Sequence, residues 1–90
     1  MDEIKLGQLQ GRGAAAAQLL ESEMLKEVFA YLETEYLNAW RKTRVKDTDA
    51  REKLWQAIQI VGLVQEQLKK WVVDGRIASK DLANVKYLKR

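Results

Sequence analysis

The sequence predicts an all-α protein, an antiparallel helical hairpin with a short C-terminal helix. The chain has no Pro in 90 residues, so no helix needs to end for lack of a backbone N–H. Two long segments repeat their apolar residues with the helical period. The polar break between them offers Asp47, Thr48 and Asp49, residue types that favour helix N-caps. We expect oligomerisation to complete the hairpin into a helical bundle.

Residues 1–13 are predicted to form a flexible N-terminal arm, because they contain Gly7, Gly11 and Gly13. Residues 14–90 then form a single helical domain. Its first helix covers about 14–44 and begins with four alanines, the best intrinsic helix formers. Its second helix covers about 48–74 and is expected to end at Gly75 in a left-handed conformation. A short third helix is expected at about 80–88.

Each long helix carries one main apolar stripe, which we expect to face the core. The stripe of the first helix spans about 160° at 100° per residue, wider than a coiled-coil seam. It contains Met24, Leu25, Val28, Phe29, Leu32, Tyr36, Ala39 and Trp40. The stripe of the second helix contains Leu54, Ala57, Ile58, Ile60, Val61, Val64, Leu68, Trp71 and Val72. A lone hairpin covers only one side of such stripes, so it is close to zero net stability.

A second, weaker apolar stripe lies off the core-facing arcs of both helices. Its residues are the candidate partner surface: Leu19, Ala30, Leu37, Trp55, Gly62 and Val73. A glycine in mid-helix costs about 1 kcal/mol relative to Ala, so close approach of another helix is one explanation for Gly62. The alternative is that a loose helix tolerates Gly62 and that Trp55 packs on the terminal segments.

The composition argues against enzymatic function. The chain contains no His and no Cys, so the commonest general base, the thiol nucleophile and the usual soft metal ligands are missing. Its two serines therefore have no His to activate them. We expect no catalytic residue, no metal, no cofactor and no small-molecule substrate. The expected partner is a second copy of the chain or another protein.

Nucleic-acid binding is the alternative function. The net charge is +3, which is too small to indicate nucleic acid by itself. The break between the helices nevertheless concentrates the candidate phosphate-contacting residues Arg41, Lys42, Arg44 and Lys46. Further cations follow the second helix: Arg76, Lys80, Lys86, Lys89 and Arg90. Asp47 and Asp49 dilute the positive charge of the break.

We expect a cytoplasmic protein without a membrane role. The N-terminal residues are acidic and lack the apolar stretch of a signal peptide. The apolar runs are only a few residues long, far short of a membrane span. The absence of Cys fits a reducing compartment.

Three segments of the chain resemble small, uncharacterised helical proteins of tailed bacteriophages. They are Ala39-Trp40-Arg41-Lys42-Thr43, the run from Asp47 to Trp55, and Asp74-Gly75-Arg76-Ile77-Ala78. The resemblance covers roughly residues 18–78 and transfers no catalytic or binding residue. It implies a homo-oligomeric phage product of the host cytoplasm or virion. Such a product assists particle assembly or genome packaging, or binds a host protein.

Overall fold

The computed structural model describes residues 2–88, which form three α-helices. They are α1 (Glu3–Glu21), α2 (Glu23–Lys42) and α3 (Thr48–Leu88). Helices hold 92% of the described residues, and no strand occurs among them, which confirms the all-α class. Contacts group the chain into two units. The first unit joins α1 to the part of α3 from Gln67 onward, and the second joins residues 22–66.

Residues 3–13 are helical, where the sequence predicted a flexible arm. Leu6, Gly13 and Ala16 of α1 are buried in the first unit. Across from them, Leu68, Gly75 and Ala78 of α3 are buried as well. Helix packing thus outweighs the low helix propensity of the three glycines, because the apolar area buried along the contact stabilises the segment.

The two helices of the first unit are closest where Gly13 of α1 meets Gly75 of α3. A Cβ built on Gly13 would lie 2.8 Å from the Gly75 Cα and 2.8 Å from the carbonyl oxygen of Trp71. Both neighbours are backbone atoms, which cannot move aside as a flexible side chain can. The side chains of Gln10 and Ser79 bond at 2.9 Å one turn away, so the helices run antiparallel. Only glycine fits this crossing.

The long first helix expected over 14–44 is interrupted at Ser22. Ser22 has an extended backbone, with φ −66° and ψ 119°, and its side chain accepts a bond from the Leu25 N–H at 3.2 Å. It is therefore the N-cap of α2, where it satisfies a backbone donor that the helix leaves unpaired. Ser22 followed by the acidic Glu23 is a typical helix start in the sequence. The apolar periodicity on both sides of it nevertheless predicted one continuous helix.

The corner between α2 and α3 lies where the sequence placed it. Thr43 caps the end of α2, and its backbone N–H donates to the Trp40 carbonyl at 3.1 Å. The Asp47 carboxylate accepts from the Arg44 N–H at 2.9 Å. The Asp47 carbonyl then accepts from the Arg51 N–H at 3.0 Å, the first bond of the next helix. One of the three predicted capping residues thus closes the corner.

α3 continues through Gly75 to Leu88, so the predicted stop at 74 and the separate helix at 80–88 are replaced by one helix. Gly75 is not left-handed, since no glycine among the described residues has a positive φ. It is instead buried against Gly13. Ser79 does not cap a new helix; its hydroxyl donates to the Gly75 carbonyl at 3.0 Å within α3.

The second unit packs along a narrower seam than the predicted stripes. On α2 the half-buried apolar positions are Leu25, Phe29, Leu32, Tyr36, Ala39 and Trp40. On α3 they are Leu54, Ala57 and Ile58, together with the buried Val61. The predicted stripe residues Met24, Val28, Ile60 and Val64 are exposed. These spacings of three and four residues are typical of two helices in coiled-coil contact.

Candidate functional site

The second unit carries an open groove between α2 and α3. Glu33 lines it from α2, and Ile58, Gly62 and Gln65 line it from α3. The groove has a volume of about 380 Å³. A Cβ built on Gly62 would meet no atom within 4 Å, so nothing in the described chain needs a glycine there. This differs from Gly13, whose space is filled by another helix.

Four residues of the candidate partner surface lie on the groove side of the second unit. On α2, Ala30 and Leu37 are three and four residues from Glu33, so they share its face. On α3, Trp55 lies three residues before Ile58 and seven before Gly62, again on one face. Leu37 is 40% exposed and Trp55 53% exposed. We call these residues, with Glu33 and Ile58, the groove face.

The other two residues of the candidate partner surface are not part of the groove face. Leu19 of α1 and Val73 of α3 belong to the first unit. Both are about half exposed. The sequence predicted this weaker stripe on each of its two long helices. The interruption at Ser22 separates Leu19 on α1 from Ala30 and Leu37 on α2, whereas Val73 shares the uninterrupted α3 with Trp55 and Gly62.

The structure places all four candidate phosphate-contacting residues at or beside the corner. Arg41, Lys42, Arg44 and Lys46 are exposed. The nearby acidic residues have local roles: Asp47 closes the corner through its bond to the Arg44 N–H. Asp49 pairs with Lys53 at 3.3 Å on the surface of α3. Of the predicted distal cations, Arg76, Lys80 and Lys86 are exposed, whereas Lys89 and Arg90 lie outside the described residues.

Next to the corner, two tryptophans and an arginine form a cavity that sequence reasoning missed. The Arg51 guanidinium lies over the Trp40 ring, 4.0 Å from its centre, and donates to the Thr43 hydroxyl at 2.8 Å. Trp55 lines the other side, and the open volume is about 500 Å³. The i,i+4 spacing of Arg51 and Trp55 was the available signal, but the partner Trp40 comes from the other helix.

The charge of the second unit is divided along its length. Residues 41–55 contain six basic and three acidic residues, a net charge of +3 that equals the net charge of the whole chain. We call this the basic end. Residues 23–38 of α2 contain four acidic residues and one basic residue, a net charge of −3. We call this the acidic segment. One ion pair lies within it, between Glu23 and Lys26 at 3.3 Å.

A metal-ligand cluster or a membrane-spanning helix in the described part of the chain would be recognisable by its residue types and positions. Within residues 2–88 no group of three His, Cys, Asp or Glu side chains could hold a metal ion. No polar or charged side chain in that range is buried. None of the helices described is both long enough and apolar enough to cross a bilayer. What the described surface does offer is the groove face and the basic end.

Comparison with known proteins adds no assignment. No protein-family model matches the chain, and neither a curated protein nor a solved structure shows significant similarity to it.

Proposed function

We propose that this chain is a non-enzymatic, self-associating helical interaction protein. The observation that carries the proposal is the sparse core of the second unit. Within residues 22–66, Val61 is the single buried residue, and none of the 20 residues of α2 is buried. Large apolar side chains remain exposed on both of its helices, including Met24, Tyr31, Trp55 and Leu63.

Such a unit needs further protein to become stable. Full burial of a Leu or Phe side chain contributes about 1.5–3 kcal/mol, and half-burial contributes correspondingly less. Ordering a residue costs about 1.5 kcal/mol, so a helical pair with one buried residue has little net stability. Large exposed apolar patches on soluble proteins commonly mark protein–protein contacts. We therefore infer that α2 and the first part of α3 act as an antiparallel hairpin, which association of further copies closes into a bundle.

The biological setting that we propose is a tailed bacteriophage. The support is the sequence resemblance over roughly residues 18–78, including the Trp40-Arg41 corner. In that setting a self-associating helical protein serves particle assembly or acts by binding a host protein. It would function in the host cytoplasm or the virion.

Absolute mass in solution tests the proposal. Size-exclusion chromatography with light scattering, run over a 100-fold range of concentration, should give at least twice the 10.4 kDa of the single chain at the upper concentrations. The mass should fall toward 10.4 kDa on dilution if association is reversible. A cooperatively folded protein of 10.4 kDa at every concentration would contradict self-association.

A nucleic-acid-binding oligomer, for genome packaging or regulation, is the second candidate function. The observation that favours it is the basic end, with net charge +3 and two tryptophans beside the corner. Lysines and arginines contact phosphates, and exposed aromatic rings can stack on bases.

Fluorescence anisotropy of a labelled DNA oligonucleotide distinguishes this function from pure protein association. Binding through phosphates should weaken steeply between about 50 and 200 mM salt. Replacing Arg41, Lys42 and Lys46 at the corner by Gln should abolish binding. The matched change of one arginine and two lysines elsewhere, Arg76, Lys80 and Lys86, should not. Absence of binding at low salt would exclude this function.

A further inference from the structure

On each helix of the groove face, one large and one small residue lie at equal distances on either side of the groove centre. Leu37 and Ala30 lie seven residues apart on α2, and Trp55 and Gly62 lie seven residues apart on α3. The larger member of each pair is on the side of the corner. Glu33 and Ile58, which line the groove together, lie near the midpoint of each pair. At about 1.5 Å per residue, each end of a pair is roughly 5 Å from this centre along the helix.

Consider a two-fold axis that passes through the groove centre, lies in the plane of the interface and runs perpendicular to the helices. It would place large residues of one copy opposite small residues of the other. Rotation by 180° exchanges the corner side with the far side of the groove face. Trp55 of one copy then faces Gly62 of the second copy, and Leu37 faces Ala30 of the second copy. A surface that complements itself in this way is the requirement for a two-fold symmetric interface.

Gly62 has the space that this arrangement needs. A Cβ built there meets no atom of the described chain within 4 Å. Trp55, which would fill that space from the second copy, is 53% exposed. Large aromatic side chains set into small-residue recesses are typical anchors of protein interfaces.

Charge favours the same antiparallel orientation. The basic end carries +3 and the acidic segment −3. Antiparallel copies bring the basic end of each chain alongside residues 23–32 of the other, where Glu23, Lys26 and Glu27 give a net charge of −1. A parallel pair would set the two basic ends together, and like-charge contact of this kind is unfavourable.

We propose that a second copy of this chain docks antiparallel on the groove face, with Trp55 of each copy seated at Gly62 of the other. The inference rests on the self-association proposed above and adds its surface and orientation. The two second units then form a four-helix arrangement, in which the apolar side chains of the groove face are shared between copies. The two Glu33 carboxylates lie near the axis, and this like-charge contact opposes the association that the apolar contacts stabilise.

Distance measurement between spin labels tests the orientation. The chain has no Cys, so a single label can be attached at Val45→Cys, in the corner, where the side chain is 87% exposed. The antiparallel pair predicts a label separation of about 35 Å, from the helix rise on both sides of the axis. A separation under about 20 Å would indicate parallel packing of neighbouring helices, which overturns the inference but not self-association. No intermolecular distance at all would overturn both.

Substitution of Gly62 tests the contact itself. Gly62→Leu has room within the chain, so the variant should keep its helical circular dichroism while its dimer dissociation constant rises at least tenfold. Gly11→Leu is the matched control, because Gly11 is an equally open helical glycine in the first unit, and it should associate like the parent. Adding Trp55→Ala to Gly62→Leu should restore at least part of the affinity. Unchanged association of Gly62→Leu, or no rescue by Trp55→Ala, would overturn the seating of Trp55 at Gly62.

Discussion

Gly13 and Gly75 show how a single missing Cβ decides the packing of the first unit. Gly13→Ala places its new carbon 2.8 Å from two backbone atoms of α3. The helices must separate, so we expect the free energy of unfolding to fall by about 1–3 kcal/mol, measured by urea denaturation. Gly11→Ala is the control: its Cβ meets nothing within 4 Å. It should be stabilising by about 0.5–1 kcal/mol, because Gly is a poor helix former. Equal effects of the two changes would contradict the close crossing.

Arg51 of α3 stabilises the corner of the second unit through two contacts with residues at the end of α2. Its guanidinium stacks on Trp40 and donates to the hydroxyl of Thr43. Arg51→Lys keeps the charge but loses the planar group that makes both contacts, so we expect a loss of about 1 kcal/mol in unfolding free energy. Lys53→Gln, which breaks only the exposed pair with Asp49, should change it by less than about 0.5 kcal/mol. If Arg51→Lys were as harmless as Lys53→Gln, the stacking would have no structural role.

At the scale of the element, Ser22 defines where α2 begins. Ser22→Ala removes the acceptor for the Leu25 N–H, and a lost N-cap of this kind costs about 1 kcal/mol. Ser22→Asn retains a side-chain acceptor and should remain close to the parent protein. Urea denaturation followed by circular dichroism measures both variants. A neutral Ser22→Ala, with Asn no better than Ala, would mean that the cap does not stabilise α2.

The sequence predicted the helical elements best where local signals agree. The corner at 43–47 combines capping residues with a change of stripe, and the structure places it there. The prediction was wrong at two glycines that lie inside helices: it assigned Gly13 to a flexible arm and Gly75 to a helix end. Their roles depend on each other across 62 positions of sequence, and no local pattern contains that information. The closeness of Arg51 to Trp40 was hidden for the same reason.

The candidate site was predicted in part. Trp55 and Gly62 stand out in the sequence because a large apolar residue and a mid-helix glycine both lie off the core stripe. The structure adds that Gly62 lines an open groove together with Glu33 of α2 and Ile58 of α3. The sequence also joined Leu19 to this surface, because the apolar periodicity on both sides of Ser22 predicted a single helix there. Val73 lies on α3 with Trp55 and Gly62, but in the first unit.

At the scale of the whole molecule, the two units differ in how many of their apolar side chains are buried. The first unit buries apolar residues of both its helices and joins them at the Gly13–Gly75 crossing. The second buries only Val61 within residues 22–66. The stability of the second unit should therefore depend on association and rise with protein concentration. The stability of a monomer that needs no partner would not change with protein concentration.

Thermal unfolding followed at several protein concentrations tests this central claim most directly. If folding of the second unit is coupled to dimer formation, a 100-fold increase in concentration favours the folded dimer by about 2.7 kcal/mol. The midpoint Tm should then rise by roughly 5–10 °C, given the usual entropy of unfolding per residue. The Gly62→Leu variant should lose most of this dependence. A Tm that stays constant over the whole concentration range would contradict the account.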